Sequence, residues 1–138
     1  MHEALALAVI AAAGGPLAPR RALLDAAGTA KAALADPARW GACGLTAAQI
    51  AALRVPPATA IDPARDWLDA PGHRVIGWTD PDYPPALRAA ASPPIALFVV
   101  GDPSLLWRPA IAVVGSRGPT PGGTRLATEF ARAFVRAG

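Results

Sequence analysis

The residues best placed for chemistry are Gly115-Ser116-Arg117-Gly118-Pro119-Thr120-Pro121-Gly122-Gly123, a small basic loop between two patterned stretches. Before it, Ile111-Ala112-Val113-Val114 is a short continuous apolar run, and after it Thr124 to Ala137 is amphipathic. An apolar strand, a turn with several glycines and a helix make the opening half of a βαβ unit. Loops of that kind turn backbone N–H groups and the positive end of a helix toward bound phosphate. Arg117 adds a permanent cation whose planar fork suits phosphate oxygens. The loop has no acid, thiol or imidazole. Such a site holds a phosphate; it does not break one.

The elements around the loop follow from pattern. Ile111–Val114 is the expected third strand, a buried-type run of the sort parallel sheets use. In the helix that follows, Leu126, Phe130 and Phe134 fall at four-residue steps beside Ala127, Ala131 and Ala137, which predicts one core-facing stripe. Thr120 can cap this helix and Pro121 can occupy its first turn. Upstream, His73–Trp78 and Ile95–Val100 read as strands. Asp80, Pro81, Asp82 and Tyr83–Pro85 form a turn into a short helix, Ala86–Ala90. Tyr83 reads as a packing residue in that turn, not as a platform for bases.

The first seventy or so residues read as helices. Ala4–Ala13 ends at Gly14-Gly15-Pro16, Arg20–Ala27 closes at Gly28, and Ala30–Ala35 and Thr46–Leu53 follow. Thr46 with Gln49 makes a capping box, and Val55-Pro56-Pro57 ends that helix. A last helix is expected from about Asp62 to Ala70, with Pro63 at its first position. Gly14-Gly15-Pro16 with Arg20 and Arg21 has some likeness to a helix-hairpin-helix turn, where backbone N–H groups meet nucleic-acid phosphate. The usual Gly-apolar-Gly order is missing, and any tight interhelical turn wants glycine, so a structural turn is the better reading.

Composition narrows the class. The chain has 138 residues, 53% of them hydrophobic, which suits one globular domain or one small domain with part of another. The lone Cys43 excludes an intrachain disulfide, and with only two histidines, far apart, no metal site is expected. Residues 1–102 are nearly neutral, at −1, whereas residues 103–138 carry +4 through Arg108, Arg117, Arg125, Arg132 and Arg136 against Glu129. The positive field coincides with the candidate phosphate loop and its helix. For Arg125, Arg132 and Arg136 a solvated helix face is the simpler reading. Ala4–Ala13 is too short to span a bilayer, which takes about 20 residues. With Glu3 ahead of it, this segment reads as a buried first helix and not as a signal peptide. The chain reads as cytoplasmic, without a membrane partner.

Two ordered segments carry a family resemblance. YPPALRAAASPPIALFVVGDPSLL at Tyr83–Leu106, then IAVVGSRGPTPGGTRLA at Ile111–Ala127, resemble the DNA-processing protein A family (DprA/Smf). Asp80, Tyr83, Pro84, Leu87, Pro94, Leu97, Gly101, Val114, Gly115, Ser116, Arg117, Thr120, Pro121 and Gly123 stand where that family's features would. The likeness is specific over about 80–138 and loose before it. It implies an α/β fold: a small helical module of SAM-like or helix-hairpin-helix-like type at 1–71, then the start of a Rossmann-like parallel-sheet domain at 72–138, incomplete at Gly138.

It also implies a single-stranded DNA-binding protein of natural transformation. Such a protein assists loading of a RecA-type recombinase, forms a homodimer, needs no cofactor and is not an enzyme. Gly115, Ser116, Arg117, Thr120 and Gly123 would be its nucleic-acid-binding residues, with Arg117 on phosphate. The family's next strand, its Ser-Gly-rich segment and a later lysine lie past Gly138, so weak or no DNA binding is expected of this chain alone.

Other classes fit less well. A nucleotide-handling enzyme of the lysine-decarboxylase-like Rossmann group, of phosphoribohydrolase type, would need acids and a second glycine-rich loop. A dinucleotide-binding domain would need G-x-G-x-x-G, which Gly115–Gly123 does not supply. Trp40, Trp67, Trp78 and Trp107 could serve a pure interaction module, but tryptophan is more often a core anchor.

Overall fold

The computed structural model describes residues 2–138, which divide into two compact units, one ending at Trp107 and one running Arg108–Gly138. The first unit holds helices α1 (Glu3–Ala12), α2 (Leu17–Ala27), α3 (Ala30–Ala35), α4 (Ala38–Ala42), α5 (Ala47–Arg54) and α6 (Ala58–Leu68). Strand β1 (His73–Gly77), the short α7 (Pro85–Arg88), strand β2 (Ala96–Val100) and a 3₁₀ turn (Pro103–Trp107) complete it. The second unit holds α8 (Pro121–Ala137).

Helix α1 is the centre of the first unit. Its sequence is apolar nearly all round, which suits a helix enclosed by neighbours. Ala6, Leu7, Ala8, Val9 and Ile10 are buried, as the sequence predicts. Leu23, Leu24, Ala33, Trp40, Leu53 and Ile95 close around them. The Trp40 indole donates to the Ala33 carbonyl at 2.8 Å, so the core anchor also has its one donor satisfied. At its start, α1 reaches α3: both Glu3 carboxylate oxygens accept from the first amides of that helix, at Ala30 and Lys31. These N–H groups have no partner within their own helix, and a carboxylate suits the positive helix end.

The turn after α1 is fixed from within. Gly14 and Gly15 both take φ +66°, a conformation that favours glycine. Arg20, only 5% exposed, turns its guanidinium inward. It donates to the carbonyls of Ile10 (3.3 Å), Ala11 (2.8 Å), Gly15 (2.8 Å) and Pro16 (3.3 Å). Those are the last carbonyls of α1 and the turn itself, so Arg20 caps the helix from the next element. Burial pushes the Arg20 pKa below its ordinary value, yet an arginine stays charged. Gln49 reaches the same turn with Nε2, at 2.8 Å to Gly14 and 2.9 Å to Pro16. Its Oε1 completes the predicted capping box with Thr46. The glycine turn is thus a structural one, bonded to the protein's own side chains.

Four expectations need correction. Ile111–Val114 is not a strand. Among the described residues no neighbouring strand offers it hydrogen bonds, and an unpaired segment gains nothing from strand geometry. The sheet is two-stranded and antiparallel, with His73 opposite Val100 and Gly77 opposite Ala96. The observed class is therefore mixed α/β, mostly helical with one small antiparallel sheet. Pro63 lies inside α6, which starts four residues before the expected Asp62, behind Pro57 as its N-cap. The stripe Leu126, Phe130 and Phe134 is exposed, at 55%, 57% and 39%, since no described element covers it. Two elements, α4 and the Pro103–Trp107 turn, were not foreseen.

The sheet meets α1 at a close approach. A Cβ on Gly77 would come within 2.8 Å of a Leu7 methyl, so only glycine fits there without a shift. Past β1, Tyr83 is 1% exposed, and its hydroxyl donates to the Pro94 carbonyl at 2.7 Å. It is a packing residue, as its place in the turn suggests.

Two outcomes are expected. Arg20→Met leaves several carbonyls without donors and should lower the unfolding free energy in urea by about 3 kcal/mol. Tyr83 is the only tyrosine, so an alkaline absorbance titration reports it alone. Its folded pKa is raised, by burial first, against the downward pull of Arg88 and Arg21. Phenolate should therefore form above the ordinary tyrosine range. The corresponding stability is complete below an unfolded pKa of about 10 and is lost as pH rises through the folded value.

Candidate nucleic-acid interface

The candidate loop lies wholly in the second unit, and every residue from Gly115 to Thr120 is exposed. Two hydroxyls shape it. Ser116 Oγ accepts from the Gly118 amide at 3.2 Å, a local turn that folds the Arg117 segment outward from its ends. Thr120 is the N-cap of α8, its Oγ1 accepting from the Gly123 amide at 3.1 Å. The Thr120 carbonyl takes the Thr124 amide at 3.0 Å and the Thr124 hydroxyl at 3.3 Å. Pro121 stands at the first helical position, where a missing N–H costs nothing. Capping and proline together start the helix where the sequence predicts.

The same bonds decide what the helix end can offer. Of its first three residues, Pro121 has no amide proton and Gly123 gives its own to Thr120. Gly122 keeps its N–H for an outside acceptor, and this donor was not singled out by sequence. Its signal is the order Thr-Pro-Gly-Gly, in which cap and proline account for the neighbours. In the loop, Arg117 makes no ion pair among the described residues.

Beside the loop runs an open cleft of about 1160 Å³. Val113, Val114, Gly115, Ser116, Thr120 and Gly123 line one end, and Thr124, Ala127, Thr128 and Ala131 continue along α8 to Arg132 and Arg136. Of the five predicted site residues, Gly115, Ser116, Thr120 and Gly123 share this cleft, whereas Arg117 does not line it. Arg132 and Arg136, read from sequence as a solvated face, border the cleft instead. Thr120, Thr124, Thr128, Arg132 and Arg136 follow at four-residue steps, a row that winds slowly around the helix axis and lines the cleft throughout. No acid lines the cleft. Groups of three or more His, Cys, Asp or Glu side chains suited to a metal are absent among the described residues.

A family model described as DNA recombination-mediator protein A matches residues 74–138, which include the loop and α8. Over that segment, just under half of its length, the chain is similar to the DNA-processing protein A family. Protein Smf of Escherichia coli (strain K12) is 35% identical over 95 residues, covering 69% of this chain and 25% of that relative. The chain thus spans about a quarter of the length of the curated relative it matches. No solved structure matches it. Among the described residues no helix is long and apolar enough to cross a membrane.

Thr120→Ala removes the cap of α8 and should cost about 1 kcal/mol of local helix stability. Faster amide hydrogen exchange over Gly123–Ala127 is the expected readout, with exchange in α1 unchanged.

Proposed function

We propose that this chain is a DNA-holding part of a DNA-processing protein acting in natural transformation. Its loop takes the phosphate backbone of single-stranded DNA: Arg117 pairs with a phosphate, and the amides of Gly115, Ser116 and Gly122 assist. Thr120 and Gly123 set the start of the helix, and Arg132 and Arg136 extend the positive field along the cleft. The observation that carries the reading is an exposed, unpaired guanidinium on a hydroxyl-braced turn at a helix start, in a segment matched by the DNA recombination-mediator family model. Backbone contacts of this kind position a strand without reading its sequence.

The finer parts of the proposal rest on the family. In the whole protein, Ile111–Val114 and α8 open a Rossmann-like parallel sheet, whose neighbouring strands would pair the apolar run and cover Leu126, Phe130 and Phe134. The protein works as a homodimer in the cytoplasm, brings DNA to a RecA-type recombinase and does no bond chemistry.

Arg117→Ala should weaken binding to all single strands alike and reduce the slope of log affinity against log salt by about 0.7. Arg117→Lys should restore the slope but only part of the affinity, because the fork is lost. Anisotropy of labelled oligonucleotides of different sequence, measured over a salt series, checks both. A change in sequence preference at constant slope would instead indicate base reading.

A further inference from the structure

The first unit carries a second cationic feature, built from residues far apart in sequence. Arg21, on α2, lies over the Trp78 ring with its guanidinium carbon 5.5 Å from the centroid. Arg88, the last residue of α7, lies over the same ring at 4.7 Å and over Tyr83 at 4.9 Å. Trp78 is half-buried and meets the buried Tyr83 edge-on at 5.6 Å. The Trp78 indole N–H donates to Asp25 at 2.7 Å, which fixes the ring in place. Two guanidiniums from distant parts of the sequence therefore lie over one ring that is itself hydrogen-bonded in place.

A cation–π contact uses no N–H donor as a conventional hydrogen bond, so a guanidinium over a ring can still meet other acceptors. Arg88 uses one N–H on the Asp80 carbonyl at 3.3 Å. Neither arginine is ion-paired among the described residues. Asp25 accepts from the Trp78 indole and Asp80 from the Gly77 amide, and among the described residues neither makes an ion pair with Arg21 or Arg88. Both cations also act on the Tyr83 hydroxyl, which places them in one small neighbourhood. A simple packing role would not require two unpaired arginines on one ring. A surface that stacks bases on guanidinium planes and offers their edges to phosphate would.

We propose that Arg21 and Arg88, seated on Trp78, form a second contact site for the phosphodiester backbone of single-stranded DNA, separate from the Gly115–Gly123 loop. The proposal rests on the reading of the chain as a single-strand binder, but it needs none of the loop's residues. Arg20, next to Arg21, takes no part, since its guanidinium is spent on the turn after α1.

The test is anisotropy of a fluorescein-labelled oligothymidylate titrated with the chain from low salt upward. Arg21→Gln combined with Arg88→Gln should weaken binding about tenfold and flatten the salt slope by about 1.4, the release expected for two phosphates of a single strand. Arg21→Lys with Arg88→Lys, which keeps the charges and guards against a folding artefact, should restore the slope and part of the affinity. A double glutamine variant with unchanged affinity and slope overturns the proposal, and Arg117→Ala measured in parallel then tells whether the loop reading stands. Loss in the double glutamine variant but not in Arg117→Ala supports this site and overturns the loop. No binding by the unsubstituted chain at low salt overturns this site; the loop reading, under which weak or no binding is expected of this chain alone, is then tested by Arg117→Ala in the full-length protein. Displacement of the oligonucleotide by polyglutamate at equal charge concentration overturns the assignment to nucleic acid in favour of an acidic protein.

Discussion

The first unit depends on one buried cation. Arg20 is enclosed at the end of α1 and has no carboxylate partner there; it is neutralised only by the dipoles of four carbonyl groups. Burying a guanidinium is costly unless its donors are used, and carbonyls at a helix C-terminus are costly unless they are met. Each problem solves the other. The path from α1 into α2 is thereby fixed, and Gln49 fastens α5 to the same turn. Glu3 does the complementary work at the opposite end of α1, where a carboxylate meets the amides of α3. The central helix is thus bound at both ends by charged side chains that match its dipole and that of its neighbour.

Local signals were legible where the chemistry is local. Ala30–Ala35 and the Thr46–Gln49 capping box follow from residues a few positions apart, and the structure has them as read. Both strands were readable to within a residue at their ends, because short apolar runs stand between clear turn signals. Their antiparallel pairing was not readable, since the likeness to a parallel-sheet family dominated the reading of the region. Pro63 misled because proline marks a helix start so often; Pro57, the last residue of the run Val55-Pro56-Pro57, was the true boundary.

The non-local features were hidden. Nothing in the run Gly14-Gly15-Pro16 says that Arg20 points back at it, and in sequence Arg20 and Arg21 look alike. The fold separates them, one to carbonyls inside and one to an indole outside. Trp40 is a core anchor as tryptophan usually is, whereas Trp107 is 53% exposed and bonds the Asp82 carbonyl at its rim. Residue type alone could not divide them. At the candidate loop the sequence put the cationic weight on Arg117; that Arg132 and Arg136 border the same cleft as Gly115, Ser116 and Thr120 emerges only when α8 is laid beside the turn.

The start of α8 has a mechanical meaning. Because Thr120 occupies the Gly123 amide and Pro121 has none, an incoming oxyanion finds a solitary donor at Gly122 instead of the ring of amides that a nucleotide-cradling helix presents. A solitary donor at a helix start fixes a point but not an orientation. The cap that makes the helix begin cleanly thus also removes the cluster of amides with which a first turn could grip a small anion.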